Sequence, residues 1–401
     1  MTDLILKKGK ERSLLRRHPW VYDTAVQKLN GKAVSGDTVR VCSYDGRFLA
    51  WAAYSKDSTL RARCWSFNET EAINADWIRE KIKQALQARQ FLFSRTSAVR
   101  VIFGEADQLP GLVVDRYGDW LVTQFQAAGV EAYRDVIADE LMKVPEIKGV
   151  FDRSDAATRH REGLPERVEV LRGAEPPLEI EVVEDGVRYG VDVRKGHKTG
   201  FYIDQRENRF LAQRLAREFK LRTGRGMRAL NCFCYTGGFS LALLTGGAEE
   251  VISVDSSAEA LAMAARNAER NGIDESRAKW VQADVFEYLR QAREAGEVFD
   301  LVILDPPKFA SSHRHVERAA RAYKDINLNG LRLVASGGDL LTFSCSGAMD
   351  VDLFQKVIAG AVIDSKRDAW MVARLGAGAD HPLMMTCPEG EYLKGLQLTV
   401  R

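Results

Sequence analysis

The C-terminal half of the chain has the most regular hydrophobic pattern. From residue 206 onward, short apolar runs alternate with longer segments in which apolar residues recur every three or four positions, the patterns of buried strands and amphipathic helices. They predict helices at 206–219, 239–244, 258–271, 285–295, 316–333 and 353–363, and strands at 227–234, 251–254, 278–282, 299–304, 339–343, 369–375 and 394–400. Such alternation predicts an α/β fold with a parallel sheet, helices on both faces, and ligands at the carboxyl ends of the strands.

The first 193 residues follow two other patterns. Strand-like runs at 37–42, 48–54 and 60–67, the last with Arg61, Arg63 and Trp65 between apolar residues, predict a small β-barrel-like domain with arginines on its outer face. The next segment predicts a mixed α/β domain, with helices at 71–93 and 131–142 and strands at 99–103, 112–115, 120–125, 149–152, 180–184 and 187–193. The predicted domain bounds are 1–70, 71–193 and 194–401.

A glycine turn connects the strand predicted at 227–234 to the following helix. The turn is Tyr235-Thr236-Gly237-Gly238, and the next strand ends on Asp255. Glycines let a ligand approach the backbone, and a carboxylate after the second strand accepts hydrogen bonds from ribose hydroxyls. The turn has neither the G-x-G-x-x-G of a dinucleotide site nor the lysine of a phosphate-binding loop. It therefore favours S-adenosylmethionine, which has no phosphate; the alternative is a simple turn between strand and helix.

Three acids follow successive predicted strands. Asp255, Asp284 and Asp305 each stand where a strand ends, so all three should lie at one edge of the sheet. In an S-adenosylmethionine site, the first would bind the ribose and the second the adenine amino group. The third would lie where methyl donor and substrate meet. The alternative for each acid is an N-cap of the following helix.

Basic residues cluster at two places, although the formal net charge is only +2. The first seventeen residues contain a group of cations suited to phosphate contacts: Lys7, Lys8, Lys10, Arg12, Arg16 and Arg17. A glycine-broken basic loop at 194–202 leads into the nucleoside-binding unit and is a candidate clamp over cofactor or substrate. The alternatives are a solvated surface for the first and an interdomain linker for the second.

The six cysteines are scattered through a long chain, which predicts reduced thiols and no metal site. The sequence contains no signal-peptide pattern and no run of eighteen apolar residues. We therefore expect a soluble, cytoplasmic protein.

Cys345 is the candidate nucleophile. It follows a predicted strand, on the same edge as Asp305, and Thr342, Ser344 and Ser346 make its surroundings polar. A thiolate at such a position can add to C6 of a pyrimidine, which makes C5 nucleophilic enough to accept a methyl group. The alternative is an inert core cysteine.

The chain resembles a known family over nearly its whole length. The stretches that carry the resemblance are SLLRRHPWVY, GHKTGFYIDQR, NCFCYTGGFS, VDSS, DPPKF, YKDINL, TFSCSG and PEGEYLKG. They are similar to those of the bacterial 23S ribosomal RNA cytosine-5 methyltransferases of the RlmI type. The resemblance implies an N-terminal PUA-type RNA-binding domain, a central α/β domain and a C-terminal Rossmann-like methyltransferase domain. It also implies S-adenosylmethionine as donor, a cytosine of 23S rRNA, free or in a large-subunit precursor, as acceptor, and a homodimer.

Carried over by position, the resemblance implies roles for particular residues. Cys345 resembles the family's nucleophile, and Asp305 resembles the acid that hydrogen-bonds the cytosine edge. The implied cofactor-lining residues are Thr199, Gly200, Phe201, Gln205, Arg206, Phe233, Cys234, Tyr235, Thr236 and Gly238. Related RNA 5-methylcytosine enzymes often carry a second cysteine directly after Asp-Pro, where this chain has Pro307. The base that removes the C5 proton therefore stays unassigned, with Glu389, Asp325 and His381 as candidates by charge.

A base that is paired or stacked in folded RNA must enter a pocket before it is methylated. Lys198, Lys308, Tyr323 and Lys324 are candidates to hold this RNA, or are ordinary surface residues. Two other functions stay open: methylation of a ring or exocyclic nitrogen, and a non-catalytic RNA-binding assembly factor.

Overall fold

The computed structural model describes residues 2–310 and 313–401. The chain forms two compact units. The first unit comprises Met1–Val182, Val191–Ile203 and Ala379–Gly390. The second comprises Val183–Gly190, Asp204–Gly378 and Glu391–Arg401.

The first unit begins with a six-stranded sheet. Its elements are β1 (Asp3–Leu6), α1 (Arg12–Leu15), β2 (Trp20–Tyr22), β3 (Val26–Asn30), β4 (Thr38–Cys42), β5 (Phe48–Tyr54) and β6 (Leu60–Ser66), in the strand order β2-β6-β5-β4-β1-β3. The predicted outward face of β6 is wrong at Trp65, which is only 2% exposed. Arg63 is largely buried and pairs with Glu105 and Glu162. The arginines of β6 are therefore engaged partly in ion pairs within the unit.

A five-stranded sheet follows in the same unit. Its elements are α2 (Ala75–Arg89), β7 (Ala98–Phe103), β8 (Leu112–Tyr117), β9 (Trp120–Phe125), α3 (Ala128–Ala132), α4 (Arg134–Leu141), β10 (Gly149–Ser154), α5 (Thr158–Arg161) and β11 (Arg167–Gly173), in the strand order β11-β10-β9-β8-β7. The prediction missed β11, an edge strand that is mostly exposed. The hairpin of β12 (Ile180–Glu184) and β13 (Val187–Val191) turns at Asp185-Gly186, both with positive φ.

The second unit contains a seven-stranded sheet with helices on both faces. Its strands are β14 (Arg228–Cys232), β15 (Glu250–Asp255), β16 (Ala278–Gln282), β17 (Phe299–Leu304), β18 (Val334–Ser344), β19 (Ala369–Gly376) and β20 (Lys394–Val400), in the order β16-β15-β14-β17-β18-β20-β19. Its helices are α6 (Arg206–Thr223), α7 (Gly238–Thr245), α8 (Ala258–Arg270), α9 (Val285–Glu294), α10 (Val316–Leu333) and α11 (Val351–Ser365). Neighbours from β16 to β18 are parallel, whereas β20 is antiparallel to both β18 and β19. The prediction of an all-parallel sheet is therefore wrong at this end.

Alternate residues of the central strands enter different cores. In β14, Ala229 packs into the core on one face, whereas Leu230 packs into the core on the other. In β17, Ile303 and Leu304 divide in the same way. Because both faces of these strands are buried, they appear in the sequence as continuous apolar runs. Burial of a larger apolar side chain such as Leu230, Ile303 or Leu304 stabilises the fold by about 1.5–3 kcal/mol.

The strand order places the candidate site. From β14 the chain proceeds outward to β15 and β16, then returns to β17 on the other side of β14. The carboxyl ends of β14 and β17 therefore flank the point where the order reverses, and open α/β sheets bind ligands at such a point. Among the described residues, no helix has the length and apolar character needed to cross a membrane.

Candidate active site

The turn after β14 has a backbone that constrains its residues. Phe233, Tyr235 and Gly237 all have positive φ, at 59°, 49° and 81°. A Cβ on Gly237 would lie 3.0 Å from the Cβ of Ala264 and 3.1 Å from the ring of Trp280. Glycine is needed there both for the backbone conformation and for the space. Two non-glycine residues with positive φ, Phe233 and Tyr235, are more than a simple strand-to-helix connection requires.

Two acids at the ends of β15 and β16 have different roles in the free protein. Asp255 is half-buried, and its two carboxylate oxygens accept hydrogen bonds from the amides of Tyr235 and Ser257, both at 2.9 Å. It therefore ties the end of β15 to the glycine turn. Asp284 is exposed and caps α9 by accepting from the amide of Glu287 at 3.1 Å. A carboxylate has about four acceptor positions, so both acids retain capacity for ligand hydroxyl or amino groups.

An aromatic cluster joins the glycine turn to the loop after β17. Phe233, Phe286 and Phe309 are half-buried and pack with ring centroids 5.9–6.5 Å apart. Phe309 also packs against Tyr323 at 4.9 Å. Phe286, which sequence reasoning missed, stands two residues after Asp284, in the first turn of α9.

Cys345 and Asp305 lie at the ends of adjacent parallel strands. Leu304 of β17 is paired with Thr342 of β18, so the loops that follow the two strands are neighbours. The Sγ of Cys345 lies 4.0 Å from the carbonyl oxygen of Pro306. Cys345 is partly exposed, the one cysteine of the six that is not buried. The thiol is therefore not enclosed in hydrocarbon.

A hydroxyl network surrounds the residues on either side of Cys345. The Tyr323 hydroxyl accepts a hydrogen bond from Ser344 at 2.9 Å and lies 3.1 Å from the Ser346 hydroxyl. Ser346 Oγ in turn accepts from the amide of Ala310 at 3.2 Å. Burial raises the pKa of Tyr323, so it remains a neutral phenol. The network links α10, the loop after β17 and the loop after β18.

A buried lysine also contacts the Cys345 loop. Lys394 is only 4% exposed, and its Nζ donates to the carbonyl oxygens of Ser346 at 2.9 Å and Met349 at 2.6 Å. Burial lowers its pKa, and the nearby Cys345 opposes that shift. Sequence reasoning missed Lys394; its only signal is a cation at the start of an otherwise apolar strand.

The chain matches domain models and full-length proteins that are already known. A family model described as S-adenosylmethionine-dependent methyltransferase matches residues 117–382, and a PUA-like domain model matches residues 4–67. Ribosomal RNA large subunit methyltransferase I of Aeromonas hydrophila is 46% identical over 402 residues, covering 99% of each chain. Its counterpart in Erwinia tasmaniensis is 45% identical over 399 residues, again covering 99% of each.

The chain belongs to the ribosomal RNA large subunit methyltransferase I family.

Solved structures share the fold of this family member. A methyltransferase from Streptococcus mutans aligns over 100% of both chains with a TM-score of 0.83 at 23% identity. A methyltransferase complexed with SAH aligns over 100% of both chains with a TM-score of 0.84 at 24% identity. The predicted α/β class, the PUA-like domain and S-adenosylmethionine as methyl donor are thus confirmed.

The cofactor residues predicted in the methyltransferase are divided between the two units. Thr199, Gly200 and Phe201 belong to the first unit, whereas Gln205 and Arg206 belong to the second with the glycine turn. All five are buried. The Thr199 hydroxyl is 2.8 Å from that of Tyr117 and also donates to Asp115, so a direct cofactor contact by this hydroxyl is not supported.

The predicted turn residues Cys234, Thr236 and Gly238 have mainly packing roles in the free protein. Cys234 is 5% exposed and Thr236 is 9% exposed. Burial raises the pKa of the Cys234 thiol well above its usual range. A Cβ on Gly238 would lie 3.1 Å from the side chain of Arg209. These residues shape the turn, and cofactor contacts from them would come through the backbone.

The predicted RNA contacts in the second unit need correction. Tyr323 has no exposed surface and is engaged in the hydroxyl network, so it cannot contact a flanking nucleotide. Lys324 pairs with Asp364 at 2.7 Å, between α10 and α11. Lys308 is exposed in the loop after β17 and stays a candidate RNA contact.

The predicted RNA contacts in the first unit are mostly accessible. Arg12, Arg16 and Arg17 are exposed on and after α1. The Nζ of Lys7 donates to the carbonyl oxygen of Thr24 at 2.9 Å. Lys198 lies over the ring of Tyr202, with 4.5 Å between Nζ and the ring centroid. The three arginines therefore present the clearest positive surface among these candidates.

The structure narrows the candidate bases. Asp325 pairs with Arg290 of α9 at 2.7 Å and accepts from Asn329, so its carboxylate is engaged with the neighbouring helix, which disfavours it as the base. Glu389 lies 3.1 Å from His18. His381 is 8% exposed and lies 3.0 Å from Asp380. Glu389 and His381 both belong to the first unit, whereas Cys345 belongs to the second.

Proposed function

We propose that this protein methylates carbon 5 of a cytosine in 23S ribosomal RNA through a transient bond between Cys345 and C6. The observation that carries the proposal is the half-exposed thiol of Cys345, 4.0 Å from the carbonyl oxygen of Pro306 in the loop that Asp305 begins. A methyltransferase that acts on nitrogen has no need of a nucleophile at this position. Methylation at C5 does need such a nucleophile, because C5 is itself a poor nucleophile until C6 is attacked.

The residues present fit S-adenosylmethionine. The strained glycine turn has no lysine for a phosphate, Asp255 stands beside it with capacity for ribose hydroxyls, and the exposed Asp284 caps α9 with capacity for an amino group. When bound, S-adenosylmethionine supplies an electrophilic methyl group. Phe233, Tyr235 and Asp255 would hold it on one side of the aromatic cluster, and Cys345 would lie on the substrate side.

The protein's own residues then account for the substrate steps. The Cys345 thiolate forms a bond to C6, and the electron pair of the C5–C6 double bond becomes available at C5. Asp305 would orient the base by hydrogen bonds to its edge. After C5 has gained the methyl group, a base takes the C5 proton. The C5–C6 double bond then re-forms while the bond between C6 and sulfur breaks, which releases the Cys345 thiolate. The identity of that base is not assigned.

Ribosomal RNA as substrate is supported by relatives and by the surface of the first unit. Relatives at 43–46% identity over nearly the full chain are named ribosomal RNA large subunit methyltransferase I. The PUA-like match covers residues 4–67, which include the exposed Arg12, Arg16 and Arg17. Such cations bind phosphates and make affinity depend on salt. The division at residues 70 and 193 and a homodimer stay proposals from the resemblance.

The test is to identify the product nucleoside and to remove the thiol. Purified protein is incubated with labelled S-adenosylmethionine and 23S rRNA, and the nucleosides are analysed by mass. We expect 5-methylcytidine, loss of activity in Cys345→Ala, and retained activity in the control Cys42→Ala, whose cysteine is buried in the first unit. Label on a purine or a pyrimidine nitrogen, or full activity in Cys345→Ala, would refute the proposal.

A second experiment tests the covalent step itself. In RNA that carries 5-fluorocytosine, C5 bears fluorine in place of the proton, and fluorine cannot leave as a cation. The bond between Cys345 and C6 should then persist as a protein–RNA adduct that survives denaturing electrophoresis. Its absence with wild-type protein under conditions of active methylation would argue against attack by this thiol.

Nitrogen methylation, the alternative, is disfavoured by the position of Phe309. Enzymes of that class place an aromatic directly after Asp-Pro-Pro to stack on the flipped base, whereas here Lys308 occupies that position. The next residue, Phe309, packs in the aromatic cluster against Tyr323 and Phe286. A non-catalytic assembly factor would need no cofactor. Binding of S-adenosylmethionine, measured by calorimetry, would therefore decide against that alternative.

A further inference from the structure

Lys394 occupies an unusual position for a lysine. It begins β20, where it is paired directly across from Ser344 of β18, and only 4% of it is exposed. Lysine is almost never fully buried unless it is paired, because the ammonium group loses its hydration. The cost of this burial calls for a role that a neutral side chain could not fill.

The hydrogen bonds of Lys394 are directed at one loop. Its Nζ donates to the carbonyl oxygens of Ser346, directly after Cys345, and of Met349. An ammonium group has three donors, so these two bonds leave a third proton. Two hydrogen bonds from one cation also hold the loop after β18 against β20.

We propose that Lys394 is a positioning residue for Cys345: it holds the loop that carries the thiol and stabilises the thiolate by its charge. The proposal rests on the proposed function, in which Cys345 attacks as the thiolate. It assigns to Lys394 the task of making that thiolate available near neutral pH. A free cysteine, with a pKa of about 8.5, is mostly protonated there.

The charges around the site favour this assignment. The groups that act on Lys394 are Cys345, Glu391 and Asp350, which favour its charged form, and Lys308, which opposes it. Cys345 and Asp305 both act on the Tyr323 hydroxyl, so these groups lie near one another. Asp305 disfavours a thiolate, and Tyr323 stays neutral. Lys308 is exposed and its charge is screened by solvent, whereas that of the buried Lys394 is screened much less.

A purely structural role predicts a different outcome when the charge alone is changed. Lys394→Gln keeps hydrogen-bond donors for the two carbonyls and removes the charge, whereas Lys394→Arg keeps the charge. The readout is the rate at which iodoacetamide alkylates Cys345, followed peptide by peptide by mass spectrometry across pH 5–10. The measurement needs neither RNA nor S-adenosylmethionine.

We expect Lys394→Gln to raise the pKa of the Cys345 thiol by about one pH unit or more. Its alkylation at pH 7 would then be roughly tenfold slower, because the rate follows the thiolate fraction. Lys394→Arg should remain close to wild type. The control Lys356→Gln removes an exposed lysine of α11 that pairs with Asp352, and should leave the titration unchanged. In methylation, kcat of Lys394→Gln should fall while KM for S-adenosylmethionine stays the same.

An unchanged thiol titration in folded Lys394→Gln would overturn the proposal. If that variant does not fold, Lys394→Arg decides, because a raised thiol pKa with the charge retained would also overturn it. Failure of the proposed function would be detected by a different measurement, the methylation activity of Cys345→Ala. If Cys345→Ala still methylates RNA, the cysteine chemistry is wrong even where Lys394 is shown to control the titration of the thiol.

Discussion

Replacement of Tyr323 by phenylalanine tests whether the hydroxyl network positions Cys345. The substitution removes one oxygen atom and keeps the ring, which packs against Phe309 and Phe354. The Tyr323 hydroxyl is fully buried and contacts Ser344 at 2.9 Å and Ser346 at 3.1 Å. These two serines are the chain neighbours of Cys345, so a change in their positions is transmitted to the thiol.

The expected loss of stability follows from these contacts. Two hydrogen bonds between neutral groups contribute about 0.5–1.5 kcal/mol each, and a buried hydroxyl left without its partner costs about 1–3 kcal/mol. Ser344 retains the amide of Ser346 and Ser346 retains the amide of Ala310, which limits the penalty. We therefore expect the free energy of unfolding of the second unit to fall by about 1–3 kcal/mol. For a unit of this size, each kcal/mol lowers Tm by about 2–4 °C.

The methylation activity of Tyr323→Phe should fall by more than its loss of stability explains. Small displacements of a reacting group cost about tenfold or more in rate, so kcat should decrease at a temperature where the variant is fully folded. Unfolding is followed by calorimetry, and kcat by labelled methyl transfer to rRNA. The control is Tyr288→Phe, a half-buried tyrosine of α9 outside the network. Wild-type stability together with wild-type kcat in Tyr323→Phe would refute the reasoning.

Two further predictions concern the sheet of the second unit. Gly237→Ala should destabilise the second unit by about 1–2 kcal/mol from the left-handed backbone alone. It should also weaken S-adenosylmethionine binding, because the new methyl group would lie 3.1 Å from the ring of Trp280. The control Gly272→Ala, at a position with positive φ and open space, should show the backbone cost only, and equal binding in both variants would contradict the crowding argument. Burial raises the pKa of Asp339, so its charged form costs stability as pH rises above about 4. Asp339→Asn, which can still accept from Thr399, should therefore become more stable relative to wild type between pH 4 and pH 8 in urea unfolding, and a constant difference would contradict this.

Elements with a strong local pattern were predicted closely. The strands Ala278–Gln282, Phe299–Leu304 and Lys394–Val400 and the helix Val316–Leu333 have the predicted bounds. Most of their apolar residues are buried, so the sequence period reports the structure directly. The edge strand Arg167–Gly173 was missed because most of its side chains are exposed and leave no hydrophobic signal.

The positions of three candidate site residues at strand ends were predicted closely. Asp255, Asp305 and Cys345 each lie at the carboxyl end of a strand of the seven-stranded sheet. Tyr323 was misjudged because it stands on a helix whose polar residues could face solvent or a partner, whereas Lys324 stays a prediction. Only the packing of α10 against the loop after β18 and against α11 decides between them.

The amino-acid sequence by itself determined the α/β class, the glycine turn, the family and the candidate nucleophile, because each depends on residues close together along the chain. The tertiary structure alone decided that β20 runs antiparallel beside β18, which places Lys394 opposite Ser344 and within hydrogen-bond distance of the Cys345 loop. Those residues are about fifty positions apart. Their contact arises from strand pairing, and local hydrophobic periodicity carries no record of which strands become neighbours.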